Sequence, residues 1–119
     1  MDPREIQARL RRFTRSENYH RHPAFSYTDG VKFLADEAGA YWLLDAIASW
    51  QKRTRRDREL RELQIWELRV TRRLNSGVLT CSRHVKDPIF SQRIPLTDFP
   101  LPYVKLHLEN GVLRLPWEE

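Results

Sequence analysis

The stretch TDGVKFLADEAGAYWLLDAIASWQ, residues 28–51, decides how this chain folds. Between Ala40 and Trp50 apolar side chains fall on nearly every side of a helix, and Asp45 is the only charge. At about three turns the segment is too short to span a membrane, so another part of the chain must cover it. Thr28 suits an N-cap and Asp29 the first helical turn. Val31, Leu34 and Ala38 recur on one side, with Phe33 off that stripe. Gly39 then ends the helix at its C′ position. The pattern predicts two helices, 29–38 and 40–53. The second has Ala40, Leu43, Leu44 and Ile47 as its core face and Tyr41, Trp42 and Ala46 on covered flanks.

Upstream, Asp2 and Pro3 are an N-cap and first-position pair for a helix over 3–13. Ile6, Leu10 and Phe13 form its apolar stripe, and Arg4, Arg9, Arg11 and Arg12 lie off it in solvent. Residues 14–26 read as an irregular polar loop, because Pro23 drives His22 out of helical conformation.

Downstream, from Gln64, the apolar period changes from about 3.6 to 2. Trp66, Leu68 and Val70 alternate with Glu67, Arg69 and Thr71. After an Asn75-Ser76-Gly77 turn, residues 78–84 form a second strand with Leu79 and Cys81 on one face. Asp87-Pro88 is the next turn. A third strand over 89–96 places Phe90, Ile94 and Leu96 on one face, with Pro95 marking an edge or an end. Asn110-Gly111, the pair favoured by type I′ turns, joins 103–109 to 112–116 in a hairpin. That register pairs Glu109 with Val112, Leu108 with Leu113 and Leu106 with Leu115, and leaves Lys105, His107 and Arg114 on the opposite face. Matching apolar surfaces on helices and strands give a two-layer α+β domain. Its N-terminal helices pack on one face of a mainly antiparallel sheet of four to five strands.

At 119 residues, 40% of them hydrophobic and 11% aromatic, the chain makes one domain with a real core. It has no apolar leader or transmembrane run, and one cysteine, Cys81, fits a reducing cytoplasm. The net charge is +5, and only Lys32, Lys52, Lys86 and Lys105 are lysines. Either a GC-rich genome or selection for phosphate and carboxylate partners produces such an arginine bias.

Motifs for chemistry are sparse. Tyr19, His20 and His22 sit together with Glu17, yet the ligand number and spacing of a zinc site are missing. Cys81 faces inward and His84, three residues on, lies on the opposite face, so they make no nucleophile–base pair. Phosphate-cradling glycine loops and the common hydrolase signatures are absent. Asp45, if buried, needs a partner from Tyr41, Ser49 or an arginine. The segment from Lys52 to Arg61 holds six cations, Lys52, Arg53, Arg55, Arg56, Arg58 and Arg61, enough for salt-dependent phosphate binding. Trp50 and Trp66 flank it and offer stacking faces for unpaired bases. The bland alternative pairs Asp57 and Glu59 with Arg53, Arg55 or Arg61 on a solvated connector.

Four phrases in order, residues 27–51, VLTC at 78–81, IPLTDFPL at 94–101 and VKLHLENGVLRLP at 104–116, resemble a bacterial family of small proteins described only as a domain of unknown function. Residues 13–23 resemble its entry segment. Members occur in cyanobacteria and other bacteria, some on plasmids and other mobile elements. The resemblance implies no activity, cofactor or catalytic residue, and residues 52–61 are more arginine-rich than its pattern. The expectation is a cytoplasmic, non-enzymatic protein without cofactor or metal. It engages nucleic acid or a nucleoprotein complex, as an accessory or inhibitor of a mobile element. The alternative is a protein–protein module, with an acidic partner or as a homodimer through an open sheet edge such as the final strand, which only Pro116 blunts.

Overall fold

The computed structural model describes residues 1–84 and 87–119; Lys86 lies outside them. The α+β reading holds, with seven strands rather than four or five. Strands β1 (Tyr19–His22), β2 (Phe25–Thr28), β3 (Leu63–Thr71), β4 (Ser76–Ser82), β5 (Pro88–Ile94), β6 (Tyr103–Glu109) and β7 (Val112–Arg114) form one sheet in the order β1-β2-β7-β6-β3-β4-β5. All neighbours are antiparallel except β2 and β7. Five helices, α1 (Pro3–Leu10), α2 (Asp29–Glu37), α3 (Tyr41–Ser49), α4 (Gln51–Thr54) and α5 (Arg58–Glu62), complete the fold. None is long and apolar enough to cross a membrane, among the described residues.

Local signals set the helix ends. Asp2 accepts a hydrogen bond from the Arg4 N–H at 2.7 Å and Pro3 opens α1. Thr28 Oγ accepts from Val31 N–H to start α2, and Gly39 follows its end at φ +60°. Trp50 separates α3 from α4, so the expected 40–53 helix is two pieces. Leu43, Leu44 and Ile47 are fully buried, whereas Tyr41 is exposed, so α3 is covered on one flank and not on both.

Register places Gln64, Trp66 and Leu68 of β3 beside Leu108, Leu106 and Val104 of β6, and Cys81 and Leu79 of β4 beside Trp66 and Leu68. This face and the helices share one core. Burying a leucine-sized side chain there contributes about 2 kcal/mol. The opposite face carries Glu67, Arg69, Val78, Thr80, Tyr103 and Lys105. Leu96, expected on the inner face, is 78% exposed because β5 ends at Ile94.

Two further expectations need correction. Residues 14–26 are not an irregular loop, since β1 and β2 form a hairpin pairing His22 with Phe25 around Pro23-Ala24. Proline is harmless at that tight turn, where no ladder donor is needed. The final strand is not an edge either. Parallel pairing of Ser26 with Val112 and Tyr27 with Leu113 puts β7 inside the sheet. The Asn110-Gly111 hairpin itself forms in the predicted register, with both residues at positive φ.

His107 lies on the sheet face opposite the helical core, and among the described residues neither of its buried ring nitrogens has a hydrogen-bond partner. Burial, then the nearby Arg114 and Lys105, push its pKa below the ordinary histidine value, against a smaller opposing pull from Glu109. The unfolded chain therefore takes up this proton first as pH falls. Its contribution to stability is complete above about pH 6.5 and is lost as pH drops through the folded-state value. Urea midpoints of the wild type should decline from pH 7.5 to pH 5.5, and His107→Gln should flatten that decline. An unchanged slope in the variant would show that the proton goes elsewhere.

Candidate functional site

The basic segment leaves α3 at Trp50 and reaches β3 through α4 and α5. Two buried residues pin it: Thr54, whose hydroxyl donates to the Gln51 carbonyl at 3.0 Å, and Leu60. Asp57 caps α5 by accepting from the Glu59 and Leu60 N–H groups at 3.0 and 3.2 Å. With these side chains turned inward or to the backbone, Lys52, Arg53, Arg55, Arg56, Arg58 and Arg61 are all exposed.

The acids of the segment are taken by a cation from outside it. Arg83, just past β4, donates from Nε to Asp57 at 3.0 Å, contacts Glu59 at 3.9 Å and pairs with Asp87 at 3.2 Å. Its hydrogen bond, with the Leu60 N–H next, holds the Asp57 carboxyl below the usual range against the opposing effect of burial. Among the described residues none of the six segment cations has an ion-pair partner. The self-paired connector weighed from sequence is therefore not what forms.

The six cations divide. Lys52 and Arg55 line a hollow of about 440 Å³ with His22, Asp45 and Ser49. Arg55 and Arg61 border an adjoining one of about 150 Å³ over Gln51, Gln64 and Thr54. Ala24, Gln51 and Arg55 line both, so the two hollows adjoin beside the β1–β2 turn. Arg53 and Arg56 line a separate hollow with Leu60, Ile89 and Phe90. Arg53 lies over the Trp50 ring at 5.1 Å, and Trp50 stacks on Phe90 at 4.3 Å. The Trp50 indole N–H donates to Gln92 at 2.7 Å. Trp66 offers no stacking face: it is 1% exposed, and its indole donates to Gln64 at 2.9 Å. The arginines of α1 sit elsewhere, where that helix packs on α2; Arg9 pairs with Glu5 and Arg11 lies over Trp117.

Tyr19 points outward from β1, while His20 and His22 face the helices but take different carboxylates. His20 Nε2 meets Asp29 at 2.8 Å. Burial opposes ionisation of Asp29, but His20 and the Asn18 and Glu17 N–H donors outweigh it and lower its pKa. His22 Nε2 meets Asp45 at 2.9 Å, and its Nδ1 accepts from the Ala24 N–H at 3.1 Å. With one nitrogen donating and the other accepting, that imidazole has no free lone pair for base or metal chemistry. Asp45 is not buried: its side chain is 74% exposed, and its partner is His22 rather than Tyr41, Ser49 or an arginine. Among the described residues no three His, Cys, Asp or Glu side chains converge as a metal site.

Cys81 is fully buried, and burial, aided by Asp57, pushes its thiol up to about 12. Native protein at pH 8 should resist iodoacetamide and react once denatured, since the thiolate is the nucleophile. Rapid alkylation before unfolding would contradict this placement.

Sequence reasoning missed two residues that matter here, Arg83 and Glu118. Arg83 looked like any other surface arginine. Glu118 lies buried against the start of α2, accepting from Thr28 Oγ at 2.5 Å and from the Gly30 and Leu115 N–H groups at 3.0 and 3.2 Å.

Fold and site define a small α+β protein: five helices, one mainly antiparallel seven-stranded sheet, and a basic segment between α3 and β3 whose cations have no ion pairs among the described residues. The chain belongs to the DUF6876 family, a family of unknown function, which matches residues 4–119 and bears out the resemblance read from the four phrases. No curated protein and no solved structure matches it.

Proposed function

We propose that this is a non-enzymatic binding protein that engages nucleic acid, alone or in a nucleoprotein complex, through the segment between Lys52 and Arg61. The observation that carries the reading is that Asp57 is held by Arg83, with Glu59 3.9 Å from the same guanidinium, and that the six exposed cations have no ion pairs among the described residues. Unpaired arginines on a short, pinned segment are the electrostatic footprint of phosphate binding. Lys52, Arg55 and Arg61 border the two adjoining hollows, where a sugar–phosphate backbone would meet their side chains. A role on a mobile element, as accessory or inhibitor of a host complex, accords with this chemistry and with the resemblance.

The test is fluorescence anisotropy with short single- and double-stranded DNA and RNA over a salt series. Affinity should fall steeply with salt, and the slope should flatten in an Arg55→Ala, Arg56→Ala, Arg58→Ala variant. No binding to any of the four at low salt would sink the reading and direct attention to protein partners.

A further inference from the structure

We propose that the hollow between α1, the start of β6 and the C-terminal tail binds a small aromatic carboxylate, a single ring on a short arm. It shares no residue with the basic segment or with the hollows beside that segment, so it is independent of the function proposed above. Shape, a fixed aromatic wall and charge converge on it.

The hairpin register, continued past His107 and Arg114, sets Pro116 beside Lys105, so the tail closes the flank of β6. What remains is a compact hollow of about 240 Å³, walled by Leu10, Leu101, Val104, Pro116 and Trp117. An apolar cavity of about 150 Å³ is enough to take benzene. One ring and a short arm therefore fit. A concave apolar surface with a few polar groups at its rim is the usual form of a small-molecule site.

The aromatic wall is in place before any ligand arrives. The Trp117 indole N–H donates to the Leu10 carbonyl at 3.1 Å. The next two residues anchor the tail, Glu118 by accepting from the Gly30 N–H and Glu119 by donating to the Thr14 carbonyl, both at 3.0 Å. Trp117 is nevertheless 41% exposed, which leaves a rigid ring for a guest to cover. Aromatic pairs gain from offset or edge-on contact, and a wall already ordered costs little entropy to occupy.

Arg11 and Lys105 are the charged residues lining the hollow, and neither has an ion pair among the described residues. Arg11 lies over the Trp117 ring at 5.6 Å, which keeps its guanidinium at the rim. Gln7, exposed on α1, adds a side-chain amide. Tyr103 also lines the hollow but brings no negative charge: its hydroxyl donates to Glu67 at 2.5 Å, and burial, then that bond, push its pKa up to about 12. Two unpaired cations beside an apolar hollow suit an apolar body carrying one carboxylate, because charge-assisted hydrogen bonds are the strong ones. The ring goes in against the leucines, and the carboxylate stays at the rim.

The experiment is an NMR titration of the full chain with phenylpropanoate and with its neutral counterpart phenylpropanamide, up to millimolar concentration. The expected result is saturable shifts of the Trp117 indole N–H, with ring-to-methyl NOEs at Leu10, Leu101 and Val104. The amide should bind about tenfold more weakly than the carboxylate. Arg11→Gln and Lys105→Gln should each weaken the carboxylate about fivefold and leave the amide unchanged, a split that a disturbed fold would not give. Absence of saturable shifts overturns the site, as do equal affinities for the two ligands or variants that weaken both alike.

Discussion

Glu118→Ala should lower folding stability by about 3 kcal/mol, because it strips a buried acceptor from two N–H groups at roughly 1–3 kcal/mol each. Gly30 and Leu115 would keep their donors in the core with nothing to receive them, and Thr28 would lose the partner of its hydroxyl. For a domain of this length the melting temperature should fall by about 10 °C. Glu118→Gln keeps the shape but turns an amide N–H₂ toward one of the same donors, so it should recover part of the loss. The geometry also fixes the sign of a second change. Gly30→Ala within a helix ordinarily gains about 1 kcal/mol. Here the added Cβ would lie 2.5 Å from Leu115 Cδ1 and 2.8 Å from Glu118 Oε1. Both neighbours are buried, so overpacking at about 1–3 kcal/mol should make the alanine variant less stable. Thermal melts of the three variants decide it, and a Glu118→Ala protein as stable as the parent would refute the account of the tail.

The second large effect concerns salt. If all six cations between Lys52 and Arg61 neutralise phosphates, log K against log salt should have a slope of about −5 on duplex DNA. Affinity would then fall on the order of 10³-fold between 50 and 200 mM salt. The structure sharpens this expectation, because Lys52, Arg55 and Arg61 border two adjoining hollows while Arg53 and Arg56 border another. A ligand confined to the adjoining pair uses three cations and gives about half that slope. Alanine at Lys52, Arg55 and Arg61 would then abolish the salt dependence, whereas alanine at Arg53 and Arg56 would leave it alone. Arg83→Ala supplies a separate check. It frees Asp57 and Glu59 to pair with the neighbouring arginines, so binding should weaken although Arg83 is not one of the six cations.

Several features were legible in the residues themselves. The Asp2 and Thr28 caps, the Gly39 stop, the change to period 2 at Gln64 and the Asn110-Gly111 hairpin all appear as read. Each depends on backbone preferences or on partners a few residues away, and such preferences are written locally. The charge density between Lys52 and Arg61 was equally plain. Its freedom from internal pairing was not, because Arg83 lies more than twenty residues beyond Asp57.

Local residue patterns therefore carry the set of elements, their apolar faces and the basic character of the connector. The tertiary structure alone decided the rest. It placed β7 between β6 and β2, drew His20 and His22 to separate carboxylates, and sank Glu118 against α2. Those outcomes join residues up to ninety positions apart, and a long-range partner leaves no mark on local periodicity or turn chemistry. Only closing the chain around its core brings such groups within hydrogen-bonding distance, where the cost of an unmet buried polar group selects among the alternatives.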